Sequence, residues 1–186
     1  PVTRSNVSQM AQALELSTAI GELTDGAERF LIRKGLEPTM KNVYHAAHSS
    51  KANRPPDVME DKVWESLKGD ITKIIERGGF TADEETLSEA KWLLSNRLPV
   101  TEKNLQNRKM LTEIRSRSID EVLELTASSI ADGMEVGETD LSCATRSETA
   151  DRVNQIQALS GEAVDAALGK KQGTFASDIA MNSIPD

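Results

Sequence analysis

The sequence predicts an all-α protein: an irregular bundle of short αα-hairpins with about seven or eight helices and little or no sheet. Aromatic residues make up only 3% of the 186-residue chain, so the core must consist mainly of aliphatic side chains and Met, which favours amphipathic helices. Apolar residues recur at helical spacing along most of the chain. No short segment alternates apolar and polar residues with the β-branched enrichment of a strand.

The first two helices are predicted from short apolar stripes that repeat with a helical period. The second is expected to end at Gly35, because glycine readily adopts the left-handed conformation of a helix C-cap. Pro55 and Pro56 then break the helical pattern, so residues 49–57 are predicted to form a loop. The two stripes contain Met10, Ala13, Leu14 and Ile20, then Leu23, Ala27, Phe30 and Leu31.

The clearest amphipathic stripe follows this loop and falls within about 120° on a helical wheel, which predicts a core helix. Gly78 and Gly79 mark its end, and four further helices are expected at later apolar stripes. The core helix carries Val63, Trp64, Leu67, Ile71, Ile74 and Ile75. The next carries Leu87, Ala90 and Leu94, one runs from about Thr101 to Ser116, and the last two carry Ile119, Val122, Leu123 and Ile130, then Ala150, Val153 and Ile156.

Three related phrases are predicted to start helices, with Thr39, Asp83 and Thr101 as N-caps. Each side-chain oxygen can accept a backbone N–H that has no partner within the helix. The polar residue three positions later, Asn42, Thr86 or Asn104, is expected to reach back toward the cap as in a capping box. The caps are unevenly spaced in the sequence, which favours an irregular bundle over the alternative of a short helical-repeat array.

Charge divides the chain unevenly. Residues 1–117 hold 18 basic and 17 acidic side chains, whereas residues 118–186 hold 4 basic and 13 acidic ones, within a net charge of −8. An acidic surface repels phosphate backbones and anionic lipid, so the last third is not expected to bind nucleic acid or membrane. The predicted organisation is a helical-hairpin domain at 1–134, an acidic helical extension that packs on it at 135–169, and a tail at 170–186.

Two segments, "GLEPTMKNVYHAAHS" and "GFTADEETLSEAKWLLSNRLPVTEKNLQNRKMLTEI", resemble an uncharacterised family of long multi-helical proteins from clostridial, mostly flagellated gut bacteria. That family contains a domain of unknown function rich in "G[LI]EPT" and "LPVTEENL" phrases. The resemblance is best over residues 23–134 and implies that this chain is one piece of a longer protein. It supplies no catalytic residues, and it suggests an association with motility.

Few residues have the types and spacing that catalysis or metal binding needs. His45 and His48 could face one metal ion from a helix, but two ligands are too few, and polar surface histidines are commoner. Cys143 is the single cysteine, lacks a nucleophile signature, and is expected to be a buried or half-buried structural residue. No glycine-rich phosphate loop is present. We therefore expect no enzyme activity, no catalytic or metal-binding residues, no cofactor and no small-molecule substrate.

The possible interaction surface consists of one tryptophan and a locally basic stretch. Trp92 lies away from the apolar face of its helix, so it is either a second core contact or a partner-binding residue. The basic stretch from Arg97 to Arg117 is interpreted as a solvated helix face that docks the acidic C-terminal third of the same chain, with DNA binding as the alternative. The candidate surface residues are Trp92, Arg97, Lys103, Arg108 and Lys109.

These observations predict a non-enzymatic interaction or scaffold domain of a longer bacterial protein. Its partner is expected to be another protein or another segment of the full-length chain. No stretch approaches the roughly 20 apolar residues that span a bilayer, so no membrane partner is predicted and a cytoplasmic location is expected. The chain begins at Pro1 rather than Met, which we interpret as a cleaved product or an excised piece.

Overall fold

The computed structural model describes residues 4–20, 23–49 and 54–181. Within those ranges the chain forms eight α-helices, one 3-10 turn and no β-strand, with one isolated bridge between Thr39 and Asp140. The predicted all-α fold and number of helices are confirmed. The helices are α1 (Arg4–Ile20), α2 (Asp25–Lys34), α3 (Met40–Ala47), α4 (Asp61–Arg77), α5 (Glu84–Ser95), α6 (Glu102–Ser116), α7 (Ile119–Ala131) and α8 (Arg146–Met181), and the 3-10 turn is Val136–Glu138.

The chain divides into two compact units, Pro1–Cys143 and Ala144–Asp186. Helices α1–α7 and the 3-10 turn belong to the first unit, and α8 belongs to the second. A domain border was predicted after residue 134, but the next residues are hydrogen-bonded into the first unit. The Met40 N–H donates to the Thr139 carbonyl at 2.9 Å, and the Leu141 N–H donates to the Pro38 carbonyl at 3.0 Å. Helix α8 continues past residue 170, where the sequence suggested a tail.

The helices of the first unit pack in the spatial order α7, α1, α3, α2, α6, α5, α4. Hairpin partners such as α2 and α3 are neighbours in this series, and the pairs α1–α7 and α2–α6 join distant parts of the chain. The core along the series is aliphatic, as expected from the scarcity of aromatic residues. Its fully buried apolar side chains include Leu23, Leu31, Met40, Val43, Ile75, Leu93, Leu105, Ile114 and Leu141.

Helix α4 is only half as buried as its apolar stripe predicted. Trp64, Ile71 and Ile75 are buried, whereas the other three members of the stripe are exposed. The prediction of a core helix therefore holds for half of the stripe. The other half is exposed because α4 lies at the end of the helix series, with α5 as its main neighbour. The exposed α4 residues are Val63, Leu67 and Ile74. Ile119 on α7 was also predicted to point inward, and it is exposed as well.

Three hairpin turns begin with the same pair of backbone hydrogen bonds, a Schellman motif after α2, α4 and α5. Two of them have glycine at the left-handed position, Gly35 at φ 60° and Gly79 at φ 80°. The third has Arg97, at φ 57°, where a side chain is strained. In this turn the Leu98 N–H donates to the Leu93 carbonyl at 2.9 Å. The C-cap residue of α5, Asn96, lies just before Arg97.

Candidate interaction site

The residues proposed as helix starters lie at the first turns of α3, α5 and α6. The side chains of Thr39, Asp83 and Thr101 accept hydrogen bonds from the backbone N–H three residues later. The backbone N–H of Thr86 is the main cause that holds the pKa of Asp83 below its usual range, followed by the Thr86 side chain. These contacts stabilise helix ends, so the residues have a structural function rather than a role in a binding site.

The two repeated asparagines act differently from the expected capping box. The Asn42 side-chain amide donates to the Glu37 carbonyl at 2.9 Å, and the Asn104 amide donates to the Pro99 carbonyl at 2.8 Å. Each therefore bonds the carbonyl two residues before the cap instead of the N–H of the cap itself. This explains the choice of Asn, because a carboxylate at this position could not donate to a carbonyl.

The basic stretch was expected to dock the acidic C-terminal third, but most of its described polar contacts lie within the first unit. Arg97 donates to Asp57, Arg115 donates to Asp25, and Arg117 donates to the carbonyls of Leu141 and Cys143. Arg108 pairs with Glu28 and Glu89, and Lys109 donates to the Thr86 hydroxyl. Five of the six basic residues in this stretch thus make polar contacts within the first unit. Those contacts would have to break before the same side chains could bind DNA phosphates.

Arg108, a predicted surface residue, instead takes part in a largely buried charge cluster. Its guanidinium lies against the fully buried carboxylate of Glu28 on α2 and within 2.6 Å of Glu89 on α5. Burial raises the pKa of Glu28 to about 7, although Arg108 and Arg115 lower it. No sequence pattern indicated this cluster, because Glu28 and Arg108 are separated by 80 positions.

The remaining candidate surface residues are divided between core and solvent. Trp92 is half-buried against the core, and the Arg108 guanidinium covers its ring at 4.0 Å from the centroid. Lys109 is also half-buried and lies 5.6 Å from the centroid of Phe80, whereas Lys103 is exposed. These residues therefore do not form one continuous exposed surface.

The histidines and the cysteine lie at the surface. His45 is exposed and packs edge-on against Phe30, and His48 is exposed and stacks on Tyr44 with 4.2 Å between centroids. Cys143 is exposed, so the expectation of a buried cysteine was wrong; partial desolvation and nearby Asp140 raise its pKa. Among the residues that the structure describes, no three His, Cys, Asp or Glu side chains are grouped as metal ligands.

Helix α8 presents the largest set of apolar side chains in contact with solvent. Over residues 149–168 every residue is exposed, and Ile156 and Leu159 are 65% and 66% exposed. Val153, Ile156, Ser160, Ala163 and Ala167 follow alternating spacings of three and four residues, which is the pattern of a helix-packing seam. This small-residue stripe, named here the α8 seam, is the candidate interaction site.

A family model described as a family of unknown function, DUF6240, matches residues 1–162. The chain belongs to the DUF6240 family. The match spans the whole first unit and the part of α8 that begins the seam, so both belong to the DUF6240 region. The expectation of a domain of unknown function is confirmed. Neither the curated proteins nor the solved structures contain a match.

None of the helices among the described residues combines the length and the apolar character needed to cross a membrane.

Proposed function

We propose that this chain is a non-enzymatic helical interaction domain and that the α8 seam is the surface through which it binds a protein helix. The observation that carries the proposal is that every residue of α8 from 149 to 168 is exposed. Five large apolar side chains are among them: Val153 and Ile156 in the seam, and Leu159, Val164 and Leu168 beside it. A lone helix in water gains little from its own hydrogen bonds, and most helical stability in proteins comes from packing of an apolar face.

The composition of the seam indicates what kind of partner fits. Ser160, Ala163 and Ala167 are small and let a second helix approach closely, while Val153 and Ile156 offer apolar surface at one end. Asp151, Glu162 and Asp165 lie toward the opposite face on a helical wheel. A partner helix with an apolar stripe is therefore the occupant that this surface favours.

The wider setting follows from the resemblance to clostridial multi-helical proteins. We place the domain within a longer bacterial protein of the cytoplasm, where it acts as a scaffold associated with motility. The partner helix then belongs either to another protein or to another segment of the full-length chain.

Hydrogen exchange of α8 in the full-length protein purified from its own bacterium tests this function. We expect the amides of residues 153–167 to be protected, and we expect Ile156→Glu to remove that protection because it places a charge in the apolar seam. Gln155→Glu, which adds the same charge on the opposite face, is the matched control and should preserve protection. Rapid exchange of α8 in the unmodified full-length protein would show that the seam has no partner.

A further inference from the structure

A small pocket at the C-terminal end of α5 is lined by four arginines and has a volume of about 60 Å³. Arg29 and Arg33 come from α2, Arg54 from the loop before α4, and Arg97 from the α5–α6 turn. This pocket is separate from the charge cluster around Arg108 and from the α8 seam. Its remaining lining residues are Pro55, Asp57, Ser95 and Asn96.

The arginines are held in place around the pocket by polar contacts. The Arg29 guanidinium donates to the Asn96 side-chain oxygen at 3.3 Å and to the Arg54 carbonyl at 2.7 Å. Arg33 donates to the Asn96 carbonyl at 3.3 Å. Arg97 donates to Asp57 at 2.5 Å, and the same carboxylate lies 3.7 Å from Arg54.

The described lining of the pocket carries more positive than negative charge. It contains four arginines and one carboxylate, Asp57, while Asp25 acts on Arg29 from outside the lining. The C-terminal ends of α2 and α5 contribute about −0.5 charge each. Burial and the neighbouring Arg33 and Arg54 lower the pKa of Arg29, which is only 6% exposed, and Asp57 and Asp25 offset part of that lowering.

The left-handed backbone conformation of Arg97 is a second, independent feature of this pocket. The corresponding turns after α2 and α4 use glycine at the left-handed position, whereas this turn accepts the strain of a side chain at φ 57°. Strained residues of this kind cluster at ligand sites, where the side chain is needed for another purpose. Here the arginine side chain extends to the pocket wall.

We propose that this pocket binds a small tetrahedral oxyanion of the phosphate type through the fork-shaped donors of Arg29, Arg33, Arg54 and Arg97. Arginine presents paired N–H groups that match two oxygens of a phosphate, and four such groups around a small volume suit a doubly charged anion. The size of the pocket fits the anion itself, so any organic group attached to it extends into solvent. This assignment is independent of the proposed function of α8.

Titration calorimetry of the intact chain with inorganic phosphate at low ionic strength, with chloride as the ionic-strength control, tests the proposal. Saturable binding with one site per chain is expected, and Arg33→Gln should weaken it roughly tenfold or more because a charge-assisted contact is lost. Arg77→Gln is the matched control, since Arg77 also lies in the last turn of a helix, α4, but outside the pocket. It should leave phosphate binding unchanged.

Asp57→Asn separates an anion site from simple damage to the fold, because it removes the negative charge that competes with the ligand. We expect it to strengthen phosphate binding, a direction that misfolding cannot produce. Phenyl phosphate, titrated in parallel, shows whether the ligand is free phosphate or a phosphate monoester. Equal affinity indicates a phosphate monoester, and weaker affinity indicates the free ion. Absence of saturable phosphate binding in both the unmodified chain and Asp57→Asn would overturn the proposal.

Discussion

The carboxyl group of Glu28 lies in the interior of the first unit beside Arg108. Burial raises its pKa from an ordinary 4.5 to about 7, so the folded state holds the proton more tightly than the unfolded chain does. Glu28 therefore contributes stability that is fully present below about pH 4.5 and is lost as the pH rises through about 7. Asp83 and Asp57 have lowered pKa values, so their contribution to stability has the opposite pH dependence: it is present above the ordinary carboxyl pKa and is lost as the pH falls through the lowered one.

Glu28→Gln should flatten this pH dependence, since glutamine has no proton to lose. Between pH 5 and pH 8 we expect the free energy of unfolding of the unmodified chain to fall by roughly 3 kcal/mol more than that of the variant, at 1.36 kcal/mol per pKa unit. Urea unfolding of both chains at the two pH values measures the difference. Parallel profiles would mean that Glu28 stays ionised against Arg108 throughout.

At the scale of helices and turns, two glycines with equally open space for a side chain are expected to change stability in opposite directions when replaced by alanine. A Cβ at Gly69, inside α4, or at Gly79, after it, would meet no atom within 4 Å. Gly69→Ala should stabilise the protein by about 0.5–1 kcal/mol, because alanine loses less backbone entropy in a helix. Gly79→Ala should destabilise it by about 1–2 kcal/mol, because φ is 80° there.

Thermal unfolding of the two variants beside the unmodified chain provides the measurement. A shift of the midpoint in the same direction for both would contradict the assignment of a left-handed turn at Gly79.

Local features of the helices were predictable from sequence, and features that depend on distant residues were not. Thr39 and Thr101 were identifiable because a cap and its bonded N–H lie three positions apart. Arg97 at a left-handed turn was not, because its partner Asp57 is 40 positions away. The exposure of Ile74 was also not predictable, because a helical wheel shows which side of a helix is apolar but not whether a second helix covers that side.

At the scale of the whole molecule, the first unit ends at Cys143, later than the border predicted after residue 134. Val136 and Leu141 lie beyond residue 134 and are buried in the first unit. A fragment of residues 1–143 should therefore fold cooperatively, whereas a fragment of residues 1–134 loses both side chains and two backbone hydrogen bonds. We expect the shorter fragment to be less stable by about 4–6 kcal/mol.

Urea unfolding of the two fragments, followed by circular dichroism, measures this difference. Equal midpoints would show that the segment after Met134 contributes nothing to the first unit. The α8 seam and the arginine pocket are tested separately, because one lies outside both fragments and the other lies within both.

The bridge between Thr39 and Asp140 has a consequence for the order of events during synthesis. It joins residues about a hundred positions apart, and contacts of such long separation form late because a large loop must close first. The turn that leads into α3 therefore waits for the segment around Leu141 to leave the ribosome before its last backbone hydrogen bonds can form. Until then the nascent first unit exposes part of its core, and a ribosome stalled before residue 141 holds an incompletely folded chain that is open to proteases.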